Sequence, residues 1–319
     1  MKRRLISWLL LTLVLVFVMN AIAYRHAWRM THFVAAGKRT LAPNKLSPLG
    51  KAWVLVAGVS VPKSEGGQLK TAHRDVTLTT RDGFKLVAWD VPATSNRAVA
   101  ILFHGYATSK SVLINESEIL RGFGLRTVLV DFRGAGGSDG WVTTVGWNEA
   151  LDVTAAVDWV HREWLGVPVI LYGQSMGATA VLRAISEEGV RVDGIVLECP
   201  FDRFLTTVSH RYELMHLPAF PFAYLLLAWG GLQNGFNAFR LNPVEYAAKV
   251  TCPALVMGGE KDPWVMPAEA RSVAWAMQGK TQCVIFTNAS HGGYWWDVGV
   301  EYRKLLGNWL DTTFSQKPR

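Results

Sequence analysis

The length, composition and charge of the chain exclude several classes of protein. Its 319 residues are 50% hydrophobic and 18% charged, and they include 14 Trp and 14 Phe. A chain with so much apolar material can bury a large core, which excludes intrinsic disorder, collagen-like repeats and coiled coils. Residues 1–64 contain ten of the 33 Lys and Arg residues and no Asp or Glu, so the rest has 23 basic against 25 acidic residues. Nucleic-acid binding is not expected, because the folded part lacks a basic excess.

Residues 1–24 predict a helix that inserts into a membrane. Lys2-Arg3-Arg4 precedes an uncharged run from Leu5 to Tyr24, which as a helix spans roughly 30 Å. We expect a single-pass N-terminal anchor. Two alternatives remain: a signal sequence cleaved at Ala21-Ile22-Ala23, which would make the protein secreted, and a buried helix. The signal-like shape favours an extracytoplasmic position for the rest of the chain, although basic residues flank the run on both sides.

The remaining chain predicts a stalk at residues 25–74 and one folded domain at residues 75–319. Two short strands around Arg81-Asp82-Gly83 predict a hairpin. Apolar strands then alternate with segments of helical period, which predicts an α/β domain with a mostly parallel, doubly wound sheet. The predicted strands after the hairpin are 98–103, 126–132, 167–172, 194–197, 254–258 and 282–286. The predicted helices are 111–123, 147–163, 176–186, 267–277 and 298–314.

One insertion, at about residues 203–249, breaks this alternation. The segment is too long for a single crossover, and Leu214–Leu232 contains no charged residue. Pro218 and Pro221 make it a poor membrane-spanning helix. We expect a helical cap over the active site, with additional core as the alternative.

The sequence Gly173-Gln174-Ser175-Met176-Gly177 predicts a nucleophile. It follows a predicted strand and precedes a predicted helix, which is the context that a nucleophile elbow requires. Glycines permit the sharp turn and the strained backbone of the central residue. Ser175 is therefore the candidate nucleophile.

A serine hydroxyl needs a base within hydrogen-bond reach and an acid that orients the base. Of the three His residues after Ser175, His291 follows the last predicted strand, whereas His210 and His216 lie in the insertion. Asp262 follows the strand at 254–258, so the chain order is Ser175, Asp262, His291. The nearby acids that could replace Asp262 are Glu198, Asp202 and Glu260.

The oxyanion of a tetrahedral intermediate needs two donors. We expect one from the backbone N–H of Met176, which follows the nucleophile. The second is expected from the N–H of Tyr106 in His104-Gly105-Tyr106, where Gly105 permits close approach of the backbone and His104 orders the loop.

Other patterns do not predict binding sites. Residues Asp131–Gly140 are rich in glycine but lack the features of a phosphate-binding loop, so a structural turn near the active-site rim is expected. No compact metal-ligand pattern occurs, and neither a metal nor another cofactor is implied. Cys199, Cys252 and Cys283 are widely spaced, so we expect them to pack as small hydrophobic side chains rather than to form disulfides.

Together these motifs resemble the α/β-hydrolase superfamily, in particular serine hydrolases of the monoacylglycerol-lipase and serine-aminopeptidase-like type. The resemblance covers about residues 75–314, through His104-Gly105-Tyr106, Asp131-Phe132-Arg133-Gly134, Gly173–Gly177, Asp262 and His291. It implies an acyl-enzyme mechanism in which Ser175 attacks a carbonyl, His291 transfers the proton and Asp262 holds the imidazole.

The sequence favours a membrane-associated serine hydrolase that cleaves esters or thioesters of small or lipid-like substrates with an apolar acyl part. An aminopeptidase or amidase is the first alternative, with Glu198, Asp202 and Glu213 available to bind an amine. A membrane-bound binding module without catalysis is the second.

Overall fold

The computed structural model describes residues 2–41, 45–95 and 97–314. Pro43 of the predicted stalk and residues 315–319 of the predicted domain lie outside the described residues. The chain divides into two compact units. We call residues 63–203 and 242–319 the sheet unit, and residues 1–62 and 204–241 the helical unit.

The sheet unit is built on eight strands in the order β1-β2-β4-β3-β5-β6-β7-β8. Strand β2 pairs antiparallel with β1 and β4, and all other neighbours are parallel. The strands are β1 (Arg74–Thr79), β2 (Lys85–Val91), β3 (Ala98–Phe103), β4 (Leu125–Val130), β5 (Val169–Gln174), β6 (Gly194–Glu198), β7 (Ala254–Gly259) and β8 (Thr281–Phe286).

The sequence pattern explains this sheet. All six residues of β3 are buried, as are all five of β6 and all six of β7. Continuous apolar strands of this kind need cover on both faces, which the connecting helices supply. The prediction of an α/β fold with a mostly parallel sheet is confirmed.

The helices of the sheet unit follow the strands closely in sequence. One buried cluster of apolar side chains includes Tyr172 and Tyr302, whose hydroxyls are 3.0 Å apart. The helices are α3 (Ile114–Gly122), α4 (Glu149–Glu163), α5 (Met176–Glu187), α8 (Pro243–Ala247), α9 (Pro267–Ala276), α10 (Tyr294–Asp297) and α11 (Gly299–Phe314).

The helical unit contains α1 (Lys2–Thr31), α2 (Pro48–Ala57), α6 (Phe204–Leu214) and α7 (Phe222–Gln233). Helix α1 continues past Tyr24, where the predicted anchor ends. Helix α2 lies in the segment predicted as a stalk. It begins at Pro48, and the side chain of Ser47 accepts a hydrogen bond from the N–H of Gly50. Proline at the first position and serine before it are strong start signals for a helix.

Helices α1 and α7 pack along each other within the helical unit. Indole Nε1–H of Trp229 donates to Oδ1 of Asn20 at 3.1 Å, and the Gln233 amide donates to the carbonyl of Tyr24 at 2.8 Å. Ala27 and Ala223 are buried in the contact. Small side chains let two helix backbones approach closely, as in pairs of membrane helices. The predicted cap insertion and the predicted anchor thus share one compact unit.

The end of the insertion differs from the prediction. The helical unit takes only residues 204–241 of the predicted 203–249. From Asn242 the chain packs in the sheet unit, where the Arg183 guanidinium donates to the Tyr246 hydroxyl at 3.2 Å. This short helix, α8, begins at Pro243 and buries Tyr246 and Ala247. It lies within the range predicted as the cap.

Candidate active site

Ser175 lies on a sharp turn between β5 and α5. Its φ of 53° and ψ of −110° are strained for a residue with a side chain. The backbone N–H of Ser175 donates to the carbonyl of Glu198 at 2.9 Å, which ties the turn to the end of β6. This arrangement presents the Ser175 hydroxyl at the start of a helix, as the elbow motif predicts.

Two flanking glycines are needed because other backbone atoms occupy the place of a side chain. A Cβ on Gly173 would lie 2.7 Å from the Cα of Ala178, and one on Gly177 would overlap the carbonyl oxygens of Phe103 and His104. Real Cβ atoms do not approach so closely. The turn therefore requires glycine at both positions.

His291 and Asp262 form a hydrogen-bonded chain with Ser175. Nε2 of His291 is 3.1 Å from Oγ of Ser175, and Nδ1 of His291 is 2.6 Å from Oδ2 of Asp262. Because a carboxylate accepts, Nδ1 carries the proton and Nε2 is free to accept from the Ser175 hydroxyl. The structure thus brings together the three residues that the sequence proposed as nucleophile, base and acid.

The Asp262 carboxylate is held rigidly. Its other oxygen, Oδ1, accepts from the backbone N–H groups of Trp264 at 2.8 Å and Val265 at 3.1 Å. The side chain is only 1% exposed. These three hydrogen bonds satisfy a buried charge and fix its direction toward His291.

Glu198, a possible substitute for Asp262 and a possible amine ligand by sequence, contacts Gln174 in the structure. Its Oε2 accepts from the Gln174 amide at 3.1 Å, and the side chain is fully buried. Burial raises the pKa of Glu198, and burial together with the charge of Glu198 raises the pKa of the neighbouring buried Glu116. A Cβ on Gly292 would press on the Gln174 amide at 2.5 Å. Gln174 thus lies between Glu198 and the backbone that follows His291.

His104 orders the loop that follows β3. Its Nε2 accepts from the N–H of Phe132 at 3.2 Å, so Nδ1 donates to the carbonyl of Gly105 at 2.7 Å. Burial lowers the pKa of His104, which keeps this histidine neutral. Both ring nitrogens are therefore engaged in structural hydrogen bonds.

The proposed oxyanion donors flank the serine turn. Met176 is the first residue of α5, and first-turn N–H groups have no acceptor within their own helix. Tyr106 lies in the loop after His104, and the direction of its N–H stays a prediction. Close approach of the backbone does not require glycine at position 105, because a Cβ there would lie 3.6 Å from Gln174 and 3.7 Å from the Cβ of Ser175, which is ordinary contact. Glycine instead leaves space beside the nucleophile.

Cys199, Asp262 and His291 are the one group of possible metal ligands among the described residues, with ligand atoms within 4.8 Å of one another. Burial raises the pKa of Cys199 well above its ordinary value, so the thiol stays protonated. A metal would need the thiolate and the ring nitrogen that faces Ser175. This donor set fits a hydrogen-bonded triad better than a metal site. The three cysteines are free thiols.

The glycine-rich segment after β4 is a structural turn. The Asp131 carboxylate accepts from the backbone N–H and the ammonium of Lys110, at 2.7 and 2.5 Å, and from the N–H of Gly137 at 3.1 Å. The Arg133 guanidinium bridges Asp82 and Asp152. These ion pairs occupy the groups that would otherwise be available to an anion.

Comparison with known proteins agrees with this geometry. A family model described as serine aminopeptidase, S33, matches residues 94–220. An esterase of Pyrococcus furiosus superposes with a TM-score of 0.67 at 23% identity, over 79% of this chain and 97% of that one. The chain has the α/β-hydrolase fold. The resemblance to this superfamily that was inferred from the sequence is confirmed.

Relatives by sequence match different shares of the chain. An uncharacterized protein of Mycobacterium tuberculosis is 29% identical over 231 residues, which are 70% of this chain and 74% of that protein. The lysophosphatidylserine lipase ABHD12 of Danio rerio is 24% identical over 181 residues, 53% of this chain and 44% of the lipase. This chain thus covers less than half of the lipase.

Proposed function

We propose that the protein is a serine hydrolase that cleaves carboxylic ester or thioester bonds of apolar acyl substrates. The observation that carries the proposal is the continuous chain of contacts from Ser175 through His291 to Asp262, at 3.1 and 2.6 Å, on a strained turn. A neutral imidazole held by a buried carboxylate is the arrangement that activates a serine hydroxyl.

The reaction follows from this geometry. Ser175 Oγ attacks the substrate carbonyl while its proton moves to Nε2 of His291, and Asp262 stabilises the imidazolium. The N–H groups of Met176 and Tyr106 are proposed to donate to the oxyanion. His291 then protonates the leaving alcohol or thiol, which leaves an acyl group on Ser175. Water, deprotonated by His291, releases the acid and restores the serine.

The surroundings of Glu198 and Asp202 favour an ester over an amine substrate. An aminopeptidase needs an ionised acid for the substrate ammonium, yet burial raises the pKa of Glu198, whose Oε2 is already bonded to Gln174. Asp202 faces Glu269, and burial together with this neighbouring acid raises the pKa of Glu269 to about 8. The proton that Glu269 keeps leaves this pair with less charge than two carboxylates.

An apolar acyl group is proposed because the chain carries a helix that suits a membrane. Helix α1 is long and apolar enough to cross a bilayer, and its most apolar window is not buried in the protein. We further propose that this helix is retained, because cleavage after Ala23 would remove Asn20, the acceptor for the Trp229 indole. The signal-like order of a basic N-terminus and an apolar run supports export of the sheet unit. Protease treatment of intact cells tests this export, because an exported unit would be accessible to the protease.

The decisive experiment labels the full-length protein with a fluorophosphonate probe. Wild type should be labelled, and Ser175→Ala should lose labelling and at least about a thousandfold of its ester hydrolysis. Ser272→Ala on α9 serves as the matched control and should retain both. Rates with p-nitrophenyl esters of increasing chain length and with aminoacyl p-nitroanilides compare the ester and amide alternatives. Absence of labelling in folded wild type would contradict catalysis and favour a binding module.

A further inference from the structure

Helix α2 presents its apolar side chains outward. Leu49 is 84% exposed, Trp53 70% and Val56 62%, whereas no residue of α2 is buried. Their spacing of four and three residues places them on one face of the helix. A helix of a water-soluble protein turns such a face toward the core. A continuous exposed apolar face indicates a partner.

The position of α2 on α1 indicates what this partner is. The Arg25 Nε–H donates to the carbonyl of Ala57 at 3.0 Å, and Nε2 of His26 contacts the carbonyl of Leu55 at 2.9 Å. These contacts lie where the uncharged run of α1 ends, after Tyr24. A run of twenty residues matches the hydrocarbon thickness, so Arg25 begins the polar boundary of a spanned bilayer. Helix α2 is thereby attached at the level of that boundary.

The charge of the helical unit agrees with this location. Residues 1–62 and 204–241 contain eleven Lys and Arg against the single acid Glu213, whereas the sheet unit has 22 basic and 24 acidic residues. Lys45 precedes α2, and Lys51 lies on it. At the end of α2, a Cβ on Gly58 would lie 3.1 Å from the Arg29 side chain. Basic residues beside an apolar helix face complement an anionic lipid surface.

We propose that α2 lies in the membrane interface and inserts Leu49, Trp53 and Val56 among the lipids, with the surrounding basic side chains at anionic head groups. Tryptophan is enriched at this depth because its ring is apolar while its N–H can remain hydrated. The proposal rests on the membrane-spanning role proposed for α1. It gives the protein a second membrane contact beside the spanning helix.

Photo-crosslinking of the full chain in vesicles tests the proposal. A diazirine analogue of leucine is incorporated singly at position 11, 49 or 165, in membranes of phosphatidylcholine with phosphatidylglycerol. Leu11 lies in the apolar run and is 59% exposed; Leu49 is 84% exposed; Leu165, in the sheet unit, is 86% exposed. Leu165 matches Leu49 in residue type and exposure. We expect lipid adducts at positions 11 and 49 and none at 165.

The outcomes separate this proposal from the one on which it rests. Lipid adducts at 11 but not at 49 would contradict the interfacial helix and leave the spanning helix standing. Adducts at neither would contradict both. A protein adduct at 49, or equal lipid adducts at 49 and 165, would also overturn the proposal. Among lipids attached at 49, phosphatidylglycerol should exceed its share of the membrane by about twofold or more. No enrichment would overturn the head-group contact.

Discussion

The sheet unit and the helical unit differ in where their apolar side chains lie. In the sheet unit, β3, β6 and β7 are wholly buried. In the helical unit, the most apolar window of α1 is not buried at all, and α2 has no buried residue. Apolar side chains of the sheet unit are thus removed from solvent, whereas those of α1 and α2 are left exposed, as the proposed contact with lipid requires.

The packing of the two units differs in the same sense. The sheet unit has a large core of interlocking side chains that includes Tyr172, Tyr294 and Tyr302. In the helical unit, Ala27 of α1 and Ala223 of α7 share a smaller buried cluster with Leu226 and Leu227, and hydrogen bonds to Asn20 and Tyr24 join the same two helices. The sheet unit is thus stabilised by burial from water. Small side chains such as Ala27 and Ala223 are also typical of contacts between helices in lipid, where apolar burial contributes less.

If function lies in the sheet unit, the largest effects on turnover should come from its triad. Asp262→Asn should lower kcat by about a hundred- to ten-thousandfold, because the amide favours the wrong imidazole tautomer. Asp158→Asn, an exposed acid on α4, is the matched control and should retain activity. Ester hydrolysis and membrane sedimentation are measured together, and sedimentation should not change. If Asp262→Asn kept its activity and Glu198→Gln lost it, Glu198 would be the acid that orients His291.

The next effect should come from the backbone of the serine turn. Gly177→Ala places a Cβ against the carbonyl oxygens of Phe103 and His104. We expect a loss of about 1–3 kcal/mol in the free energy of unfolding and loss of fluorophosphonate labelling. Gly122→Ala at the end of α3, where a Cβ meets nothing within 4 Å, should be neutral or slightly stabilising. Thermal unfolding in detergent measures both, and equal stability would show that the turn can relax.

A smaller effect should appear in the pH dependence of the sheet unit. Burial, followed by the charge of Asp202, raises the folded-state pKa of Glu269 to about 8 from 4.5. Between these values the folded state holds a proton that the unfolded state has lost. Glu269 therefore makes stability fall as pH rises through this window, by at most about 1.4 kcal/mol per pH unit.

Glu269→Gln should flatten this decline while keeping the hydrogen bond from the N–H of Met266, which is 2.9 Å long. The control is Glu118→Gln on α3, an exposed glutamate whose substitution should leave the slope unchanged. Melting temperatures from about pH 5 to pH 8 measure the difference. If the melting temperature of Glu269→Gln fell with pH as steeply as that of wild type, another group would be responsible for the decline.

Sequence predicted the sheet unit better than the helical unit for a physical reason. Strand 98–103 was predicted with the bounds that β3 has, because buried parallel strands carry a continuous local signal. The Ser175, Asp262 and His291 set followed from strand ends that meet at one sheet edge. The α1 and α7 pair joins residues some two hundred positions apart, as Asn20 and Trp229 show, and no local pattern records it.

Helix α2 and the place of Glu198 show two further limits. Pro48 falls in the segment predicted as a stalk, although it begins α2. The apolar residues of α2 face outward, so their periodicity does not indicate a protein core. Glu198 could be recognised as an acid near the site, but its burial and its bond to Gln174 depend on the pairing of β5 with β6.

The smallest expected effect separates the two units at matched tryptophans. Trp53 on α2 is 70% exposed, and Trp275 on α9 is 77% exposed. If α1 holds the protein at the membrane as proposed, Trp53→Ser should lower hydrolysis of a long-chain ester in anionic vesicles only about two- to fivefold, with a short soluble ester unaffected. Trp275→Ser should change neither rate. If both variants lowered the vesicle rate equally, exposed tryptophans of the two units would have the same role, and the distinction between a water-facing and a lipid-facing unit would fail.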